Sequence, residues 1–303
     1  MPIAYIEPLS RAWERMKQAL FKPFDFGKWI TIGFTAFLAN LLENGGNGGG
    51  SNWKKEHANF GDILEAPYQA WDWLLGHAGW MILILFGGAV ALAIFILLVW
   101  LSSRGKFMFL DNVAKNQSLV SRPWREFKKH GHSLFLWRLV FGIICLTLIF
   151  TFLGYVWKTT YKMYWYGDAE HFPLLFLIQM GLLFLFFILA FAYIGMLLND
   201  FVVPVMYKHN LTATEAWNRF LPLHWRHFTY FLLYGLFILV LHLAVVALVV
   251  MAGLFTCCFG FLLLAIPYIG SVVTLPISYT FRAFSLEFLA QFGEEYNVSG
   301  RPE

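Results

Sequence analysis

Apolar residues run through this chain in long stretches rather than in alternation. The main runs lie at about 24–42, 78–101, 134–156 and 172–198, and the 54 residues from Phe228 to Phe281 contain no Asp, Glu, Lys or Arg. Roughly 20 apolar residues suffice for an α-helix to cross about 30 Å of hydrocarbon. The last stretch is long enough for two spans with a turn near Gly253–Cys258. Without a two-residue alternation, helices rather than strands are expected. The pattern therefore predicts an all-α polytopic membrane protein with six transmembrane helices. Pro267 and Pro276 fall in the last run. Proline removes an intrahelical hydrogen bond and clashes with the preceding turn, so the sixth span is expected to be kinked or broken.

Between the apolar runs one polar pattern recurs. FMFLDNVAKNQSLVSRPWREFKKHGHSLFLW occupies 107–137 and FVVPVMYKHNLTATEAWNRFLPLHWRHFTYF occupies 201–231. In each, a Lys (Lys115, Lys208) precedes a Trp (Trp124, Trp217) by nine residues. The opening segment PLSRAWERMKQALFKPFDFGKWITIGF repeats the second half of the pattern around Trp13. The chain reads as three pseudo-repeats of a basic amphipathic helix followed by a membrane hairpin, at about 1–105, 106–200 and 201–292, with a frayed tail at 293–303. In the first helix, Ile6, Leu9, Trp13, Met16 and Leu20 recur at helical spacing and predict its apolar stripe. In the third, Thr212 and Glu215 form a capping-box pattern, and Pro222 is expected to end the helix. The whole chain is one membrane domain, with no soluble domain long enough to fold alone.

Composition agrees with lipid as the solvent. Of 303 residues, 59% are hydrophobic and only 13% charged, against about 25% charged in soluble domains. The Lys and Arg residues are distributed unevenly. Eighteen of the 22 fall in 1–28, 102–138, 199–227 and 282–303, and only Lys54, Lys55, Lys158 and Lys162 fall in the alternate loops. The positive-inside rule then places both termini and all three Trp-bearing segments in the cytoplasm. Six of the thirteen residues from Tyr155 to Gly167 are Tyr or Trp, which marks the opposite interface. The opening lacks the apolar core and cleavage site of a signal peptide, so the first span is expected to be retained. The glycine-rich segment from Gly45 to Gly50 follows no strand and precedes no Gly-Lys-Ser/Thr, and it reads as a loop. Cys145, Cys257 and Cys258 form neither a disulfide framework nor a metal pattern.

Candidate chemistry is sparse. Ionisable groups within or at the ends of spans are functional candidates by default, and Asp111, Asp200, His242 and Glu287 qualify. Charge balance against the basic layer would also account for the three carboxylates, and a helix-to-helix hydrogen bond for the histidine. Trp13, Arg15, Trp124, Arg125, Lys128, Lys129, Trp217 and Arg219 are the candidates for contact with lipid or a partner. Polybasic segments beside spans attract anionic headgroups by about 1 kcal/mol per residue. Merely fixing topology is the simpler role for the same charges. Nucleic acid is a poor partner because the cations sit within a few residues of apolar spans. No HExxH, CxxC or Gly-x-Ser-x-Gly pattern occurs, so no metal, cofactor or catalytic residue is assigned.

RGKFMFLDNV, SRPWREFKKHGHSLFLWRL and DFVVPVMYKHNLTATEAW, with the opening AWERMKQALFKPFDFGKWITIGFTAFLA, resemble a family of uncharacterised bacterial six-helix membrane proteins. That family is distantly similar to the membrane domain attached to some bacterial glycerophosphodiester phosphodiesterases. The resemblance implies a bacterial inner-membrane address and a role near lipid or envelope metabolism, and it carries over no activity. The expected function is non-enzymatic: basic amphipathic helices presented at the cytoplasmic face to anionic lipid or to a partner protein. The alternative is a transporter or channel for a small or lipidic solute. A membrane-embedded enzyme would need two or more of Asp111, Asp200, Glu287, His224 and His227 to converge.

Overall fold

The structure is a computed structural model, and it describes residues 3–42, 60–166, 174–256 and 259–298. All of its regular elements are helices. They are α1 (Ile6–Leu20), α2 (Phe26–Ala39), α3 (Phe60–Gly76), α4 (Ala78–Lys115), α5 (Ser121–Glu126), α6 (Lys128–Tyr166), α7 (Leu174–Leu197), α8 (Val203–His209), α9 (Ala213–Arg226), α10 (Phe228–Phe255), α11 (Phe259–Ala265), α12 (Pro267–Val273) and α13 (Leu275–Ala290). A π-turn, Leu198–Val202, joins α7 to α8. The glycine run, Cys257 and Cys258 lie outside the described residues.

Four helical stretches are long and apolar enough to cross a membrane: Ala78–Lys115, Lys128–Trp165, Leu174–His209 and Phe228–Phe255. This is the mark of a membrane protein. The predicted first span is different. α2 has 14 residues, about 21 Å at 1.5 Å per residue, which is short of the hydrocarbon thickness. Asp25 is its N-cap, with Oδ1 accepting from the backbone N–H of Gly27 at 2.8 Å and of Lys28 at 3.2 Å. α2 lies antiparallel along the end of α4. Lys28 donates to Asn116 at 3.0 Å, and Ser102 donates to the Ala39 carbonyl at 2.9 Å. Gly105 makes this approach possible, because a Cβ there would stand 2.5 Å from the Leu38 carbonyl carbon.

The predicted sixth span is broken into three helices. Ile266, at ψ 111°, has the extended backbone that a following proline favours, and Thr274 separates α12 from α13 just before Pro276. α11 folds back on the end of α10, where Phe261 fills the space beside Gly253. α12 then leaves α10 for α2, with Val272 against Gly33 and the Tyr268 hydroxyl donating to the Ile30 carbonyl at 3.1 Å. α13 rejoins α10, where Phe281 stacks on His242 and Phe288 packs against Tyr234.

Several local expectations are corrected. The first part of the basic stretch after Trp100 is buried, because α4 continues to Lys115 with Arg104 only 8% and Lys106 only 1% exposed. The buried face of α1 is Pro8, Ala12, Met16, Ala19 and Leu20, while Ile6 and Trp13 point outward, so the stripe is rotated from the predicted one. α9 has both halves of the Thr212–Glu215 capping box but runs through Pro222 to Arg226. Its last turn is anchored by His224, buried among aromatic rings, which keeps the helix going past the proline. The three surface helices also differ in length, since α5 has only six residues against 15 and 14 in α1 and α9.

Two compact units divide the chain. The first comprises Met1–Gly45, Leu98–Arg138 and Tyr193–Glu303, and the second Gly46–Leu97 and Leu139–Ala192. The first holds a core centred on Phe107, Phe201, Phe220, Phe231, Phe284 and Phe288. In the second, ring contacts such as Phe152–Phe184 and Tyr68–Trp157 join helices whose remaining apolar side chains are largely exposed.

Candidate functional site

The first unit contains a polar hollow of about 1160 Å³. Its cations, Arg11, Arg15, Lys115 and Lys208, come from α1, α4 and α8, and its carboxylates are Glu126, Glu287 and Glu294. The helix ends explain why these groups meet. α4 and α8 finish with the same backbone device. Asn116 (φ 52°) and Asn210 (φ 56°) turn left-handed, and the N–H of the next residue donates back five positions, Gln117 to Asn112 at 3.1 Å and Leu211 to Met206 at 3.2 Å. This Schellman arrangement suits Asn, one of the few side chains tolerant of positive φ. Both asparagines line the hollow. Helix C-termini carry partial negative charge, so cations gather beside them. Arg15 donates to the Val113 carbonyl at 3.3 Å, and Lys208 donates to the carbonyls of Glu294 and Asn297.

The three predicted carboxylates go to three different partners. Asp111 is buried, and its Oδ1 accepts from the Lys115 ammonium and from the Tyr207 hydroxyl, each at 2.6 Å. Glu287 pairs with Arg15 at 2.7 Å across α13 and α1. These two share the hollow: Glu287 lines it, as do the two groups holding Asp111. Asp200 lies elsewhere, in the π-turn, and accepts from the buried Tyr234 hydroxyl at 3.1 Å. Next to it, Arg282 donates to the Asn199 carbonyl at 2.7 Å. A π-turn displaces carbonyls from their helical partners, and this guanidinium takes up one. His242 donates through Nδ1 to the Ile238 carbonyl at 2.9 Å and stacks on Phe281 at 4.4 Å. Asp200 and His242 thus belong to the α10–α13 region, away from the hollow's lining.

Of the lipid- or partner-facing candidates, Arg125, Lys128 and Lys129 are exposed, as is Trp13. Arg219 is exposed and paired with Glu295 at 3.1 Å. Trp124 and Trp217 are half-buried. Trp124 meets Trp100 edge-on at 5.9 Å and covers the Arg104 guanidinium, and Trp217 stacks on Trp137 at 5.5 Å. His224 is 4% exposed, ringed by Tyr193, Phe220, Phe228 and Phe231. Burial among these rings lowers its pKa. His227 stands apart, against Phe292. Among the described residues no three His, Cys, Asp or Glu side chains are grouped to hold a metal.

Sequence reasoning missed Tyr207, Tyr234, Arg282 and the special position of Arg104. The first three act through partners distant in sequence. Arg104 did carry a local signal, since it follows Trp100 by one helical turn.

A family model described as "Family of unknown function (DUF7544)" matches residues 3–277. The chain belongs to this family. The DUF7544 match takes in Arg15, Asp111, Asp200 and His242 and stops within α13, ahead of Glu287. It shows no link to the membrane domains of phosphodiesterases. No curated protein and no solved structure matches the chain.

Proposed function

We propose that this DUF7544 protein is a non-enzymatic inner-membrane protein whose basic cytoplasmic layer holds anionic lipid headgroups. The carrying observation is the state of the cations. Those of the hollow are engaged by the protein's own carboxylates and carbonyls. Arg125, Lys128 and Lys129 stay exposed beside the start of α6, a candidate span. Exposed Trp225 and Phe228 form a similar amphipathic elbow between α9 and α10. Each exposed cation would contribute about 1 kcal/mol of attraction to an anionic leaflet, weakened by salt.

Six crossings and three repeats are part of this reading. α1 lies against the C-terminal end of α4, a helix about 57 Å long at 1.5 Å per residue. α2 then runs antiparallel to the end of α4, as a returning segment would. Likewise α11–α13 bring it back from the end of α10 to its start. The matching caps of α4 and α8 support a repeated unit, and the 18-to-4 division of Lys and Arg supports cytoplasmic termini.

The hollow lends the transport alternative no support. It lies among polar helix ends, and neither Asp200, His242 nor Pro267 lines it.

Replacing Arg125, Lys128 and Lys129 with Gln should reduce the anionic phospholipid that co-purifies from native membranes, most clearly at low salt. Unchanged lipid recovery would remove the basis of the proposal.

A further inference from the structure

Arg104 poses a physical problem that the reading above leaves unsolved. Its guanidinium lies against two indoles that meet edge-on, 4.4 Å from the Trp100 ring centroid and 4.7 Å from that of Trp124. Its Nε is wholly enclosed and has no hydrogen-bond partner. Among the described residues no carboxylate, carbonyl or hydroxyl takes a hydrogen bond from this side chain. Gly131 at the start of α6 crosses so closely that a Cβ there would stand 2.8 Å from Arg104 Cγ. The side chain is thereby held in place, with α4 behind it, α6 beside it and Trp124 of α5 as its lid.

Contact with these two rings offsets part of the cost of burying a cation. They accept none of its five N–H bonds. A buried guanidinium without an anion is costly, and such groups are paired in folded proteins. Neighbouring groups have the same sign or are engaged. Arg138 donates to Ser102 and Ser103, Glu126 accepts from Arg122 at 3.3 Å, and Arg125, Lys128 and Lys129 face outward. Among the described residues, then, no anion answers this guanidinium.

We propose that the Trp100–Arg104–Trp124 clamp binds a phosphate group, and that its source is the headgroup of an anionic phospholipid. The clamp lies just where the apolar run of α4 ends, at Leu101. Headgroup phosphates occupy that depth beside a spanning helix. A phosphate accepts two parallel N–H bonds from a guanidinium fork, which an ammonium cannot supply. The proposal rests on the membrane reading but adds a fixed site to a diffuse basic surface. Being enclosed, it should resist salt that screens Lys128 and Lys129.

The test uses the full chain in lipid nanodiscs containing phosphatidylcholine, with or without phosphatidylglycerol. Phosphatidylglycerol should shift the tryptophan emission of the wild type and survive as a bound lipid in native mass spectrometry at high salt. Arg104→Gln should lose this by about tenfold or more, and Arg104→Lys should recover little. Lys128→Gln with Lys129→Gln should weaken binding only at low salt. Arg104→Gln that remains folded and inserted yet binds phosphatidylglycerol like the wild type would overturn the site and leave the membrane reading intact. Inorganic phosphate giving the same emission shift in phosphatidylcholine alone would overturn the lipid as the source. If Arg104→Gln fails to insert, Trp124→Leu, which removes the lid alone, serves for the same comparison.

Discussion

Phe201 and Phe186 lie on one run of helix from Leu174 to His209, yet they meet opposite surroundings. Phe201, in the first unit, is fully buried and touches the rings of Phe220, Phe231, Tyr234 and Phe288. Phe186, in the second, is 64% exposed. The core of the first unit satisfies its apolar residues with each other, as a soluble domain does, although the same unit leaves Leu236, Leu243, Leu254 and Phe255 of α10 exposed. The second leaves Ile82, Leu85, Phe86, Leu175 and Leu189 open on helices with few charges. Such surface is tolerated only where the solvent is itself apolar. The contrast teaches that one chain can carry two kinds of apolar surface: one that packs and one that waits for lipid. Hydropathy alone does not separate them.

The largest effect should come from truncating those two phenylalanines. Phe201→Ala should cost about 3–5 kcal/mol of stability, the range for a buried aromatic. Phe186→Ala should cost well under about 1 kcal/mol in detergent. Thermal unfolding followed by circular dichroism would distinguish them, and equal losses would erase the comparison. Glycines allow a gentler version. Gly105→Ala drives a Cβ into the backbone of α2 and should cost about 1–3 kcal/mol as overpacking. Gly87→Ala, with nothing within 4 Å of its Cβ, should be neutral or gain about 0.5–1 kcal/mol from helix propensity.

Protons should produce the smallest effect. His224 is buried in the first unit with its pKa lowered from 6.5. The unfolded chain takes up its proton more readily than the folded one, so stability is complete above about pH 6.5 and falls as pH drops below it. His224→Phe should flatten that part of the stability-pH curve. An identical slope in the variant would assign the dependence to other groups.

Much of the architecture was legible because lipid imposes long apolar helices, and that requirement is written in consecutive residues. The four long stretches, the Thr212–Glu215 cap and the broken final segment all follow from local pattern. The misreadings came where packing overrode that pattern. α4 does not stop at its charges, because Arg104 and Lys106 are buried in the first unit. α9 does not stop at Pro222, because its final turn is anchored by His224. For the candidate sites, Asp111, Asp200 and Glu287 stood out from their place at the ends of apolar runs. Their partners Tyr207 and Tyr234 did not, and Arg15, named as a candidate for lipid contact, gave no sign of its pairing with Glu287, since each arrives from a distant part of the chain.

The order of apolar and charged residues determined by itself that this protein is helical and built for a membrane, because backbone hydrogen bonds in lipid must be satisfied within each segment. Which faces pack, which helices fall short of a crossing, and which charges are buried were decided by tertiary structure. Those outcomes depend on contacts between residues far apart along the chain. The Arg104 clamp involves both levels: its i, i+4 half is local, and the second indole and Gly131 come only with the fold.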